Sequence, residues 1–443
     1  MTHQAAPAAP RPVLDLKDAV ALIVGIIVGA GIFKAPSLVA QFSGTPELMM
    51  AAWVLGGIIS MLGALCYAEL AASRPNAGGE YHFLEQAYGG DVARLFAWAR
   101  MTVIASGSIA IFAFVFADYA TQLLRLGPYS SSIYAAGLVI VLTAINIIGI
   151  DAGKRTQNWL TVIEVVGLVA IIIAGFFFST PDPVVNAPPA TVTAPDAGML
   201  GLAMVFVLLT YGGWNDAAYL SAEIKDGRRN IALSLLLGLA IVTALYLLVS
   251  LAYLSGLGLA GMAKSQAVAS DLLNRAWGPV GGHLMAVFVA VAAITSATAT
   301  ILTGARTSYA LGRDWSLFRA LGVWDGERGV PRNAMIAQAA ISLVLVVFGS
   351  WNNDGFKNMV DYTAPVFWLF FFLVGMSVFI FRRWEPDADR PFRVPFYPVT
   401  PLLFSGVCVY MLYSSLAYTG KGALVGVGVL ALGVLLLLIG KRR

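Results

Sequence analysis

Twelve runs of about 20 apolar residues follow one another along this 443-residue chain, at 18–41, 47–71, 93–124, 131–150, 156–178, 199–224, 231–256, 283–312, 332–350, 357–381, 399–418 and 421–440. Each is long enough to cross a bilayer as a helix, and the third is long enough to tilt. Only 12% of the residues are charged, about half the share of a soluble domain. The chain therefore reads as an all-α, polytopic membrane protein, and its net charge of +4 is no nucleic-acid footprint. Residues 1–13 are rich in Ala and Pro without an apolar core, so no cleavable signal peptide is expected. Cys66 and Cys408 both lie in apolar runs and read as small packing residues. With His3, His82 and His283 scattered, no metal or cofactor set suggests itself.

An even number of spans puts both termini on one side, and the basic residues choose which. If the termini are cytoplasmic, 21 of the 28 Lys and Arg fall in inside segments and 5 in outside segments, with Lys34 and Arg306 inside spans. That bias predicts cytoplasmic N- and C-termini in a cell inner (plasma) membrane protein.

Two spans are interrupted. The first carries Gly25, Gly29 and Gly31, and the sixth carries Tyr211-Gly212-Gly213-Trp214-Asn215-Asp216. A helix-interior glycine costs about 1 kcal/mol relative to alanine. Taken alone, the first set suits a close helix-packing face. The pairing favours a different reading. Gly29 and Gly212 lie 183 residues apart, and Leu84-Glu85-Gln86-Ala87-Tyr88-Gly89 is echoed 189 residues later by Leu273-Asn274-Arg275-Ala276-Trp277-Gly278. An offset of five spans reverses topology, so spans 1–5 and 6–10 read as an inverted repeat in which each half opens on a broken helix. Interrupted segments at matching places in two inverted halves point to a transporter's binding site. The expected divisions are a tail at 1–17, a first five-helix repeat at 18–178, a second at 199–381, two further helices at 399–440 and a C-terminus at 441–443.

An unwound turn exposes N–H groups on one half-helix and carbonyls on the other. Two such turns facing each other can hold the carboxylate and ammonium of an amino acid, and glycine lets the ligand approach the backbone closely. No charged side chain lies between Ile23 and Phe33. Asp216 is an ionisable residue inside a span and a functional candidate on that ground, although neighbouring helices can also satisfy it.

Five stretches, taken in order, carry a resemblance: Gly29-Ala30-Gly31-Ile32-Phe33, Pro75-Asn76-Ala77-Gly78-Gly79-Glu80-Tyr81, Tyr211-Gly212-Gly213-Trp214-Asn215, Gly304-Ala305-Arg306 with Arg313-Asp314, and Arg390-Pro391-Phe392-Arg393-Val394-Pro395. Together the chain resembles the amino acid–polyamine–organocation (APC) superfamily, in particular bacterial L-type amino acid transporters. The resemblance implies a leucine-transporter-type fold of 12 transmembrane helices, with a 5+5 inverted repeat and discontinuous helices 1 and 6. It implies that the Ala30 and Gly31 amides beside Gly29 hold the substrate carboxylate. The Ile27 and Leu209 carbonyls, with Tyr211 nearby, then receive the amino group. Gly212 and Asn215 complete the second break. Ala30 stands where the family commonly has serine, and Leu209 stands where several relatives place an aromatic lid. The gate then falls to Trp214 or to span three near Ser106 and Gly107. Read bottom-up, Lys154 is a loop charge beside Arg155. The resemblance makes it a substitute for a bound sodium, touching the turn from Gly25 to Gly29 and the hydroxyls of Thr295, Ser296 and Thr298.

The expected function is sodium-independent secondary transport of neutral L-amino acids, by exchange or with protons, and without enzymatic chemistry. A cationic amino acid or polyamine carrier is the alternative if Asp216 faces the cavity. A channel or a membrane sensor is the reading from another class. Lys34 is expected to snorkel to the outer surface. Glu223, Lys225 and Asp226 are expected to be solvated, Phe367–Phe372 to face lipid, and 179–198 to form an exposed connection. No partner subunit is indicated.

Overall fold

The computed structural model describes residues 14–76, 78–148, 154–178, 197–220, 224–225, 227–326, 328–352 and 354–440; side chains at 154–161 are not described. The expected glutamate and aspartate ends at Glu223 and Asp226, and the connection at 179–196, lie outside these residues. Lys154 begins a helix, and its side chain lies outside the description.

The first expected span is two short helices, α1 (Leu16–Ile27) and α2 (Ala35–Ser43), joined through a 3-10 turn at Ala30–Phe33. Asp15 caps α1 by accepting the Asp18 N–H, and Asp18 reciprocates, a two-way box that satisfies donors otherwise orphaned at a helix start. There follow α3 (Pro46–Ser73), the short α4 (Glu80–Tyr88), α5 (Gly90–Ala99), a π-helical stretch at Arg100–Ala105, α6 (Ser106–Leu123), α7 (Ser130–Ile148) and α8 (Lys154–Ile173). The second half begins with α9 (Ala197–Thr210), which ends in a turn and a 3-10 segment at Trp214–Leu220. Next come α10 (Gly227–Lys264), α11 (Val268–Asp314), α12 (Arg332–Gly349), α13 (Gly355–Trp384), α14 (Val399–Ala417) and α15 (Lys421–Gly440).

Among the described residues ten helical stretches are long and apolar enough to cross a membrane. The broken first span falls outside that number because 12 and 9 residues are each too short to cross alone. Two helices run further than the apolar runs suggest. α10 continues past a turn at Gly258 (φ 67°), and α11 starts ten residues before Gly278 (φ 73°, ψ −172°). The residue matching Gly278 in the first half is Gly89, at φ 90° and ψ 170°. Each ends a short helix and opens a long one. Both sit in a backbone region that L-residues rarely adopt, which is why the Leu-x-x-Ala-aromatic-Gly pattern ends on glycine twice.

The core runs continuously through the bundle. Phe370 and Phe371 are buried, and Phe371 packs against Tyr67 and Trp214, so the 367–372 run turns part of its face inward and does not simply face lipid. Cys66 and Cys408 are buried and unbonded to each other.

Candidate functional site

α1 stops at Ile27 because the following backbone leaves the helix: Val28 sits at ψ 85° and Gly29 at φ −116°, ψ −171°. The Gly29 N–H turns back to the Ile27 carbonyl at 2.9 Å. Ala30 and Gly31 open the 3-10 turn, so their N–H groups have no acceptor within it by position. Gly25 remains in the last turns of α1. In the second half, the Gly212 N–H donates to the Leu209 carbonyl at 3.0 Å, and Gly213 takes φ 104°. The Asn215 Oδ1 then accepts the Gly213 N–H at 3.3 Å, and the 3-10 segment follows.

The two breaks lie against each other. A Cβ placed on Gly213 would stand 2.9 Å from the Ile26 carbonyl oxygen, and one on Gly31 would stand 3.5 Å from Thr210. From α10, the Tyr246 Oη lies 2.9 Å from the Ile27 oxygen and 3.3 Å from the Thr210 oxygen, spanning both interruptions. From α11, the Ser296 Oγ comes within 3.3 Å of where a Gly29 Cβ would be.

The structure redistributes several expected roles. A carbonyl has two lone pairs, and those of Ile27 are engaged by the Gly29 N–H and the Tyr246 hydroxyl. Among the described residues, Leu209 keeps one beyond its bond to Gly212. The Tyr211 hydroxyl does not face the break but donates to the Trp53 carbonyl of α3 at 3.1 Å. Trp214 is wedged between Tyr67 and Phe371, with ring centroids 5.0 and 5.5 Å away, and is a packed anchor in this conformation. Ser106 and Gly107 also pack against the second half. The Ser106 carbonyl accepts the Ser342 hydroxyl of α12, and Gly107 makes room for Thr363 of α13. Of the coupling hydroxyls, Ser296 reaches the first break, whereas Thr295 and Thr298 bond their own helix at the Val291 and Ile294 carbonyls.

Polar clusters latch the breaks at both ends of the bundle, and neither was legible in the sequence. At the end holding the start of α1, Glu80 accepts from the Tyr67 hydroxyl at 2.6 Å, from Arg100 at 3.3 Å and from the Asn215 amide at 3.4 Å. Arg100 also reaches Asp216 at 3.3 Å, so Asp216 already faces a cation of this chain. The Lys225 N–H donates to the Leu14 carbonyl at the same end. At the opposite end Lys34 is 3% exposed and does not snorkel outward. Its Nζ lies 2.7 Å from Asp118 of α6, and it donates to the Gln266 carbonyl and side chain at 2.9 and 3.0 Å. Beside it the Tyr119 hydroxyl donates to the Phe33 carbonyl and accepts from the Ala269 N–H. The available signal was that Glu80 sits inside the quoted 75–81 stretch and Lys34 directly follows the 29–33 stretch.

Burial pushes the Glu80 carboxyl above the usual carboxylate range, and the Arg100 guanidinium and Tyr67 hydroxyl pull it back. Arg100→Met is therefore expected to lower stability by about 3 kcal/mol, because it leaves a buried acid without its cation. A folded-state pKa above the unfolded value means that ionisation disfavours the fold. The loss should be greatest above that pKa and shrink as pH falls through it. Thermal unfolding in detergent at several pH values checks this. An unchanged midpoint contradicts it.

A helical membrane protein with two facing interrupted helices, latched at both ends, belongs to the class that carries small solutes across bilayers. The family model described as Amino acid permease matches residues 14–439. The chain belongs to this family, within the APC superfamily. It is 30% identical over 398 residues to the b(0,+)-type amino acid transporter 1 of Mus musculus, covering 88% of this chain and 80% of that one. The Homo sapiens counterpart is 30% identical, covering 90% and 81%. The Large neutral amino acids transporter small subunit 2 of Mus musculus is 28% identical, covering 95% and 81%.

Proposed function

We propose that this chain is a sodium-independent secondary transporter of neutral L-amino acids, working by alternating access on a twelve-span, leucine-transporter-type fold with an inverted repeat. The observation that carries the reading is the direct apposition of the two breaks, Gly213 on Ile26 and Gly31 on Thr210, bridged by Tyr246. The Ala30 and Gly31 N–H groups take the carboxylate. The spare lone pair of Leu209 takes the ammonium. The matched conformations of Gly89 and Gly278 support the repeat. The excess of basic residues on one side supports cytoplasmic termini in a plasma membrane. Neutral substrates are favoured because Asp216 already faces Arg100.

Counterflow in proteoliposomes tests this. Labelled alanine uptake should be stimulated by internal unlabelled neutral amino acids, with no need for sodium. Stronger competition by arginine or putrescine than by neutral amino acids would move the reading to cationic substrates, and absence of trans-stimulation would move it to a channel or sensor. One relative is by name a small subunit, so the expectation that no partner is indicated is not carried forward. Activity of the chain reconstituted alone measures that requirement directly.

A further inference from the structure

The connection between α13 and α14 holds the 390–395 stretch, which no part of the substrate site uses. Four arginines, Arg382, Arg383, Arg390 and Arg393, line a cavity of about 470 Å³ there with Phe379 and Tyr397, and among the described residues no acid lines it. Two of the arginines are spent on the fold. Arg382 donates to both oxygens of the buried Glu69, at 2.8 and 2.5 Å. Arg390 donates to the Phe381 and Glu385 carbonyls at 2.9 and 2.6 Å. The Arg382 guanidinium also lies over the Tyr397 ring, 4.0 Å from its centroid, and Phe379 packs beside that ring. These contacts fix the back wall. Arg383 and Arg393 differ: both are exposed, and among the described residues neither makes a hydrogen bond or an ion pair.

The acids of the same connection lie elsewhere. Glu385 takes Arg74 at 2.5 Å, Asp389 lines a separate cleft with Glu69 and Ser73, and Asp387 is exposed outside both. Glu69 alone therefore faces four guanidinium groups, and the cavity keeps a strong positive excess. It also opens beside hydrocarbon. Trp384 and Phe396 next to it are 63% and 84% exposed, and the first turn of the membrane-spanning α14 exposes Val399, Leu402 and Leu403. Exposed aromatic rings at the end of a span sit at headgroup level. A guanidinium fork matches the oxygens of a phosphate group, and basic pockets at the cytoplasmic ends of spans suit anionic headgroups. Arg74 closes α3 and joins Glu385, so this is the end holding the start of α1, which the excess of basic residues assigns to the cytoplasm.

We propose that this cavity binds the headgroup phosphate of an anionic phospholipid from the adjacent leaflet. Arg383 and Arg393 hold the phosphate oxygens, Arg382 adds positive charge from the back wall, and the acyl chains run along Val399, Leu402 and Leu403 of α14. The apolar rim is what favours a lipid over a soluble phosphate, which has no use for it. The site is separate from the two breaks, and the inference does not rest on the transport reading. Arg382 bonds Glu69, and the Arg390 Nε lies 3.6 Å from the same carboxylate, so a lipid held here is tied to α3 as well as to α13 and α14.

The test measures binding of fluorescent phosphatidylglycerol to the full chain in an uncharged detergent. Unlabelled phosphatidylglycerol is expected to displace the probe, while phosphatidylcholine, whose choline cancels the charge, and millimolar inorganic phosphate displace little. Arg383→Gln with Arg393→Gln is expected to weaken binding by about thirtyfold. Arg319→Gln with Arg328→Gln, which removes the same charge from the connection between α11 and α12, should keep near wild-type affinity. Displacement by inorganic phosphate as strong as by phosphatidylglycerol would make this a soluble-anion site and overturn the proposal. Equal displacement by phosphatidylcholine would reduce it to apolar contact, and equal loss in the two double variants to diffuse surface charge; either overturns it, as does wild-type affinity in the first double variant. If that variant unfolds at a lower temperature without lipid, the single variants decide: about fivefold weakening in each is expected, and none overturns the assignment.

Discussion

Gly213→Ala is expected to abolish transport, reducing counterflow by about tenfold or more, while Gly89→Ala and Gly278→Ala retain most of it. All three glycines sit at positive φ, at 104°, 90° and 73°. Alanine pays about 1–2 kcal/mol at each for that conformation. What differs is the space around them. At Gly89 and Gly278 nothing lies within 4 Å of the added methyl group, whereas at Gly213 it meets the Ile26 carbonyl at 2.9 Å. That carbonyl belongs to the other break, and backbone on either side cannot yield as a flexible side chain would. The two interruptions must separate, and with them the substrate donors and acceptors. Because each 1.4 kcal/mol is tenfold in rate, a shift of a few tenths of an ångström at this contact is enough. Wild-type counterflow in Gly213→Ala, measured beside the two control variants, would remove the break-to-break contact from the mechanism.

Lys34→Met is expected to destabilise the chain by about 3 kcal/mol and to open the end of the bundle opposite the start of α1. Lys34 joins the first break to Asp118 of α6 and to Gln266 between α10 and α11. Its loss leaves a carboxylate 19% exposed without its cation. It also frees the segment that Tyr119 holds through Phe33 and Ala269. A lowered unfolding midpoint and faster thiol labelling of a cysteine introduced at Ala269 are the expected readouts. The native Cys66 and Cys408 are buried and give a low background. The exchanged pair, Lys34→Asp with Asp118→Lys, should recover part of the loss, because the attraction depends on opposite charge more than on which helix carries which sign. A midpoint and labelling rate equal to wild type in Lys34→Met would show that this end is held by other contacts.

The places where sequence and structure part company share a cause. Lys34 and Phe367–Phe372 read as peripheral because a charge near a span end and a run of aromatics usually are. Tertiary contacts, with Asp118 for Lys34 and with Trp214 for Phe371, turned them inward. Tyr211 and Ile27 were legible as members of the breaks, but the partners that occupy them, Trp53 and Tyr246, come from α3 and α10.

By itself, the sequence determined that the chain is a multi-span helical membrane protein and where two of its apolar runs break. Both follow from local free energies: the transfer of about 20 apolar residues into hydrocarbon, and the cost of glycine and unpaired amides within a helix. Tertiary structure alone decided which polar groups meet. Lys34 with Gln266, Arg100 with Asp216, and Tyr246 with Ile27 are 232, 116 and 219 residues apart. The stability of such pairs depends on distance and burial in three dimensions, quantities that no local pattern of residues encodes.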